Sequence, residues 1–149
     1  MSDEASEPVK GDGWAVGSLE AIGEGYGFRK IRRELGVTAF GVNAIVIPQG
    51  YQTGRHYHQQ QEELYIVHRG TVRIEFGDGS AHVLGEGGMA RVDPGTVRGL
   101  KNLGDGDAVY LVVGGKDGYV GRDGMAPEGE TNPRGPGFEG PPGAGPPGA

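Results

Sequence analysis

Between Thr38 and Val113 the chain alternates apolar and polar positions in short runs, with turn residues at close intervals. Successive side chains on a strand point to opposite faces, so a period of two marks a strand with one buried side. TVRIEF shows this cleanly, with Val72, Ile74 and Phe76 on one face, and Gly77-Asp78-Gly79 supplies a hairpin turn into SAHVL. TAFGVNAIVI is almost continuously apolar, as suits a strand buried on both faces, and Pro48-Gln49-Gly50 closes it. EELYIV puts Glu63, Tyr65 and Val67 on one face and Glu62, Leu64 and Ile66 on the other. MARV, VRGLKN and AVYLVV come next, separated by Asp93-Pro94-Gly95-Thr96 and Gly104-Asp105-Gly106. About eight or nine short strands with no long helix among them predict an all-β barrel or sandwich.

The flanks read differently. Residues 1–13 are polar and acidic, which predicts a disordered lead-in, and Trp14 opens the apolar content of a domain spanning 14–113. Within WAVGSLEAIGEGYGFRKIRREL, LEAI suits one helical turn, and FRKIRREL fits either a strand or a short helix. Beyond Val113 the periodicity stops. Residues 114–149 hold most of the prolines and end PPGAGPPGA, a composition that predicts a flexible Gly/Pro-rich tail. Its glycines do not recur strictly at every third position, so a collagen-like triple helix is not expected.

Composition narrows the function. The 149 residues carry a formal charge of -6, and a pI near 5.2 argues against a nucleic-acid partner. Arg29, Lys30, Arg32 and Arg33 form a local basic cluster, read as a solvated face paired with acids such as Glu34, with an anion site as the alternative. The absence of cysteine excludes disulfides, thiolate ligands and cysteine nucleophiles. MSDEASEPVK does not read as a signal peptide and no apolar run is long enough for a membrane span, so a soluble, cytoplasmic protein without a membrane partner is expected.

The candidate chemistry lies in GYQTGRHYHQQQEELYIVHRG, residues 50–70. His56 and His58, two positions apart on a strand, share a face about 6.6 Å apart. Folding back through Gln59-Gln60-Gln61 brings Glu63 level with them. Two imidazoles and a carboxylate form the ligand set of non-haem iron sites and of zinc sites with an open position. The alternative is that all three are hydrogen-bonded polar groups of the core. His68 and His82 fall on outward-facing positions and are read as structural.

The spacing Gly50, His56, His58, Glu63, Gly70 resembles the first motif of the cupin superfamily, G-x5-H-x-H-x3,4-E-x6-G. Gly87, Pro94, Gly95 and Asn102 resemble the second motif, from which Asp93 departs where proline is usual and Arg98 where histidine is usual. The spacer between the motifs is short, as in small single-domain bacterial cupins. The resemblance implies a double-stranded β-helix, or jelly roll, with a site inside the barrel. It also implies a divalent transition metal (iron, manganese, nickel or zinc) on His56, His58 and Glu63, a small-molecule ligand or substrate, and a homodimer. It leaves the function open among dioxygenases, isomerases, sugar-binding regulators and other classes.

Arg98 stands at the position of the family's fourth ligand. Arginine offers only donors, so three ligands would remain. A guanidinium about 5 Å from such a centre adds repulsion of roughly 3 kcal/mol. Three arrangements are expected to compete: Arg98 clamps an anionic substrate beside the metal, or pairs with Glu63 in a metal-free pocket, or turns outward to pair with Asp93. Arg98 and Tyr65 are the candidate catalytic residues, with lining the barrel as the alternative for Tyr65. A metal-dependent enzyme acting on a small carboxylate or carbonyl substrate leads. A non-catalytic module holding an anionic or sugar ligand comes second, and a purely structural barrel third.

Overall fold

The structure, a computed structural model, describes residues 7–130. It opens with a hairpin of β1 (Val9–Gly11) and β2 (Trp14–Val16), followed by β3 (Gly27–Arg29) and one short helix, α1 (Ile31–Leu35). Then come β4 (Gly41–Ile47), β5 (Tyr57–His58), β6 (Glu62–Arg69), β7 (Val72–Phe76), β8 (Ala81–Leu84), β9 (Met89–Val92), β10 (Arg98–Asn102), β11 (Ala108–Gly115) and β12 (Gly124–Met125). FRKIRREL is thus divided, its first residues ending β3 and the rest forming α1, while LEAI makes turns and no helix.

The strands assemble into two layers. One sheet has the order β3-β4-β11-β6-β9, and the other begins as β10-β7-β8. The bridges Gln52–Lys101 and His56–Arg98 attach the chain before β5 to β10, and β12 pairs with β5. This is the jelly roll, and its core lies where the inward faces meet, with Ile47, Tyr65 and Tyr110 from one layer and Val72, Ile74 and Leu100 from the other. Alternation sets those faces as the sequence predicts: Glu63, Tyr65 and Val67 are buried on β6, and the intervening Leu64 is exposed. Gly70 turns β6 into β7 at a φ of 86°, a left-handed conformation that favours glycine.

Both boundaries differ from the sequence expectation. β1 and β2 pair in register from Val9↔Val16 to Gly11↔Trp14, so the expected lead-in is a hairpin from Val9 onward. Asp12-Gly13 supplies its turn, with φ 86° at Gly13. At the other end β11 runs to Gly115, and the chain then crosses back to lay β12 beside β5, with Gly124 opposite His58. The first part of the expected flexible tail is therefore built into the barrel. The disorder expected for residues 1–6 and 131–149 concerns positions outside the described residues.

Candidate metal centre

Backbone pairing places the site before any side chain is considered. His56 N–H donates to Arg98 O at 3.0 Å and Arg98 N–H to His56 O at 2.9 Å, so the two expected site residues sit opposite each other, His56 just before β5 and Arg98 at the start of β10. Across the barrel β6 carries Glu63, whose neighbour on β11 is Gly114. A Cβ at Gly114 would collide with Gln61 Oε1 and lie 3.1 Å from Glu63 Cγ, so the glycine leaves the space these side chains occupy.

His56, His58 and Glu63 converge as expected, with one ligating atom from each within 4.8 Å of the others. The imidazoles stand edge to face, their centroids 5.1 Å apart. His58 Nε2 lies 3.4 Å from Glu63 Oε1, close to the separation of about 3.4 Å between two ligands at 2.1 Å on a tetrahedral ion. The residues therefore fit a divalent metal with three protein ligands.

Arg98 is buried and points into the barrel, in phase with Leu100 and Asn102 on β10. This corrects the outward-facing arrangement, because Asp93 pairs instead with Arg91, at 3.2 Å. Arg98 Nη2 contacts Glu63 Oε1 at 2.5 Å, Nε donates to Tyr65 Oη at 3.1 Å and Nη1 to Thr96 O at 2.7 Å. Tyr65 in turn donates its hydroxyl proton to Glu63 Oε1 at 3.0 Å. Burial works against the guanidinium charge, but Tyr65 and Glu63 outweigh it and move its pKa up. Burial and then the Glu63 charge push Tyr65 well above the usual phenol range, so it remains a proton donor. Burial also pushes the Glu63 carboxyl up. The His58 hydrogen bond and charge, with Arg98, more than reverse this and hold it at about 2.

The residue that sequence reasoning missed is Asp123, just before β12. Its Oδ1 lies 2.6 Å from His58 Nδ1 and accepts from Gln61 Nε2 at 2.7 Å. Its Oδ2 accepts the backbone N–H groups of Gln60 and Gln61 at 2.8 and 3.1 Å. Burial raises this carboxyl, but those donors together lower it to about 2. A signal existed: Tyr119, Val120 and Met125 are apolar residues before the Pro-Gly repeats begin, and YVGRDGM is unlike the Pro-rich end of the chain.

The remaining candidates are structural. Asn102 donates to Ile47 O and Gly106 O at 3.1 and 2.8 Å and accepts from Gly104 N–H at 2.9 Å, tying β10 to two turns. His68 faces outward onto an apolar cavity of about 360 Å³ between the sheet and Leu19, Ile22, Ile31 and Leu35. In the basic cluster, Arg29 donates to Gly25 O at 2.8 Å and Arg32 lies 3.8 Å over the Tyr119 ring.

The Cupin domain family matches residues 43–114, the stretch that builds this centre. The chain belongs to the cupin superfamily. A cupin protein from Bacteroides fragilis is similar in structure, with a TM-score of 0.61 at 23% identity, covering 70% of this chain and 86% of that one. A sugar phosphate isomerase of the cupin superfamily from Silicibacter pomeroyi has a TM-score of 0.56 at 27% identity, covering 76% and 71%. A Klebsiella pneumoniae protein with a double-stranded β-helix domain has a TM-score of 0.50 at 23% identity, covering 53% and 65%. No curated protein matches the sequence. This cupin has no helix among its described residues long and apolar enough to cross a membrane.

Proposed function

We propose that this cupin is a metal-binding protein holding one divalent transition ion (iron, manganese, nickel or zinc) on His56, His58 and Glu63, and that a small carboxylate or carbonyl compound is its substrate. The observation that carries this reading is Asp123, buried against His58. Arg98 alone would leave the centre too positive for a cation. With Asp123, two carboxylates stand against one guanidinium, and a divalent ion meets the same net charge that Glu63 would present if both Arg98 and Asp123 were absent.

A bound ion would act as a Lewis acid on a carbonyl or as a site for oxygen chemistry. Arg98 keeps Glu63 ionised, and with three of its five N–H donors used on Thr96, Tyr65 and Glu63 it retains two for an anion. Tyr65 is placed as a hydroxyl donor beside the same carboxylate. The likeness to a sugar phosphate isomerase favours the isomerase class over the dioxygenase class. Exposed Leu64 and Met89, placed diagonally on the outer sheet face with Ile66 as the partner of Met89, support a homodimer.

A second reading is favoured by the 2.5 Å Arg98–Glu63 contact, which already neutralises the expected carboxylate ligand. In that case the barrel is a metal-free binding module for an anionic or sugar ligand. Elemental analysis after purification without chelator separates the two. Near-stoichiometric transition metal, lost in His58→Ala, is expected. Protein that stays metal-free after incubation with iron, manganese, nickel and zinc removes the first reading.

A further inference from the structure

Residues 116–125 form a strap that leaves β11, crosses the end of the barrel and returns as β12. It is fastened along its length. The Tyr119 ring lies against Gly41, where a Cβ would be 3.3 Å from Cδ1, and the Arg32 guanidinium lies over the ring at 3.8 Å. Val120 O accepts from Gln61 Nε2 at 3.4 Å, and Asp123 O accepts from Gln59 N–H at 3.2 Å. The side chain delivered at the end of this path is Asp123.

The Asp123 carboxylate is surrounded by groups that can only donate to it. Both backbone N–H groups on Oδ2 are obligate donors, and the Gln61 amide nitrogen on Oδ1 is another. The fourth neighbour, His58 Nδ1, has a choice, since a neutral imidazole carries its proton on either nitrogen. It lies 2.6 Å from Asp123 Oδ1, which can only accept, and 3.0 Å from Gln61 Nε2, which can only donate, and the shorter contact is with the charged group. Against an ionised carboxylate the proton belongs on Nδ1. In the neutral ring Nε2 then carries a lone pair and faces Glu63 Oε1 at 3.4 Å, whereas the doubly protonated ring would donate to both carboxylates. Two acceptors turned toward each other inside a barrel are the arrangement a cation between them would satisfy.

We propose that Asp123 is the positioning residue of the centre: it fixes His58 as the Nδ1–H tautomer with Nε2 free to ligate, so that residues 116–125 act as a latch on which metal binding depends. This rests on the reading of His56, His58 and Glu63 as metal ligands. Carboxylate partners of ligating histidines typically affect metal affinity by roughly 10–100-fold. Asp123→Asn makes a directional test. Its amide nitrogen would meet two fixed backbone donors on the Oδ2 side but only the Gln61 side-chain amide, which can turn over to present its oxygen, on the Oδ1 side, so it takes the Oδ1 side and donates to Nδ1. That moves the imidazole proton to Nε2, where it blocks ligation.

The test uses the full chain, labelled with 15N and stripped of metal, with imidazole nitrogen shifts recorded at a pH where the rings are neutral. In the wild type, His58 Nδ1 is expected to be protonated and Nε2 bare. Asp123→Asn should reverse this, and Asp123→Glu, which keeps the acceptor, should not. Zinc(II) titration against a chelating indicator should show about 10–100-fold weaker binding for Asp123→Asn, with Asp123→Glu recovering most of the loss. An Nε2-protonated wild type overturns the proposal even where Asp123→Asn does not fold. So does an Asp123→Asn protein with unchanged tautomer, or one with unchanged zinc affinity. If the wild type takes up no zinc, the metal-centre reading fails, and the tautomer comparison alone still decides what Asp123 does.

Discussion

Glu63 and Asp123 flank one imidazole from opposite sides, and both carboxyl groups are held at about 2, by different means. Glu63, on the inward face of a central strand, has the fully buried Arg98 guanidinium and His58 as its partners. Asp123, on a strap laid across the barrel end, is held chiefly by N–H dipoles: one side-chain amide, two backbone groups and the imidazole. The same ionisation state thus comes from the His58 ring and the Arg98 guanidinium in one case and chiefly from amide and backbone N–H donors in the other. The lesson concerns failure. Loss of the buried guanidinium leaves Glu63 in the core with only His58 and the Tyr65 hydroxyl beside it, whereas Asp123 can lose one of four donors and keep three.

The largest test of that difference is Arg98→Met, which keeps bulk and removes charge. Unpairing a buried ion costs about 3–5 kcal/mol, and urea unfolding should show a loss of that size. Arg98→Met combined with Glu63→Gln should recover most of it, because the stranded charge is gone. A double variant as unstable as the single one would mean that packing around the guanidinium, and not its charge, holds this side together.

Next in size is the acid response. The folded-state value of Glu63 lies near 2, below its ordinary 4.5, so the unfolded chain binds more protons between those values. Its contribution is fully present above about pH 4.5 and fades as pH falls toward 2, by roughly 3 kcal/mol. Asp123 adds a smaller loss of the same sign, from an ordinary 3.8. Urea midpoints measured across this range should fall accordingly. In Arg98→Met the Glu63 contribution should disappear at higher pH, because burial then acts against less opposition, while the Asp123 part keeps its place. Parallel curves for wild type and variant would erase the distinction between the two carboxylates.

The two sides of the imidazole also differ in how far the sequence discloses them. His56, His58 and Glu63 sit within eight positions and are linked by strand alternation, a local rule that holds whatever the rest of the chain does. Arg98 is legible in position, because β10 alternates with Leu100 and Asn102, but its partner is not: the choice between Glu63 and Asp93 depended on which strand lay across the barrel. Asp123 is 65 positions from His58, on a strap whose strand has two residues, and no periodicity can announce so short an element. Composition even pointed away from it, since Gly and Pro become frequent from Gly114 onward. The N-terminal hairpin was hidden differently. Its Asp-Gly turn was readable, but the acidic residues around it outweighed three-residue strands whose Val9, Trp14 and Val16 remain exposed.

The smallest expected effect separates the strap from the barrel. Arg122, just before Asp123, has a φ of 55°, the left-handed region that costs a residue with a Cβ about 1–2 kcal/mol. Glycine removes that cost but loses roughly 0.5–1 kcal/mol through the freer unfolded chain, so Arg122→Gly should gain about 0.5–1 kcal/mol. If the strap opens on its own, this gain appears where its clamp is read, as amide exchange at Gln60 and Gln61 slowed about two- to fivefold, with β6 and β11 unchanged. If exchange slows equally at those two amides and in the central strands, the strap opens only when the barrel does. Asp123 would then be as much a part of the core as Glu63, and their different partners would carry no difference in dynamics.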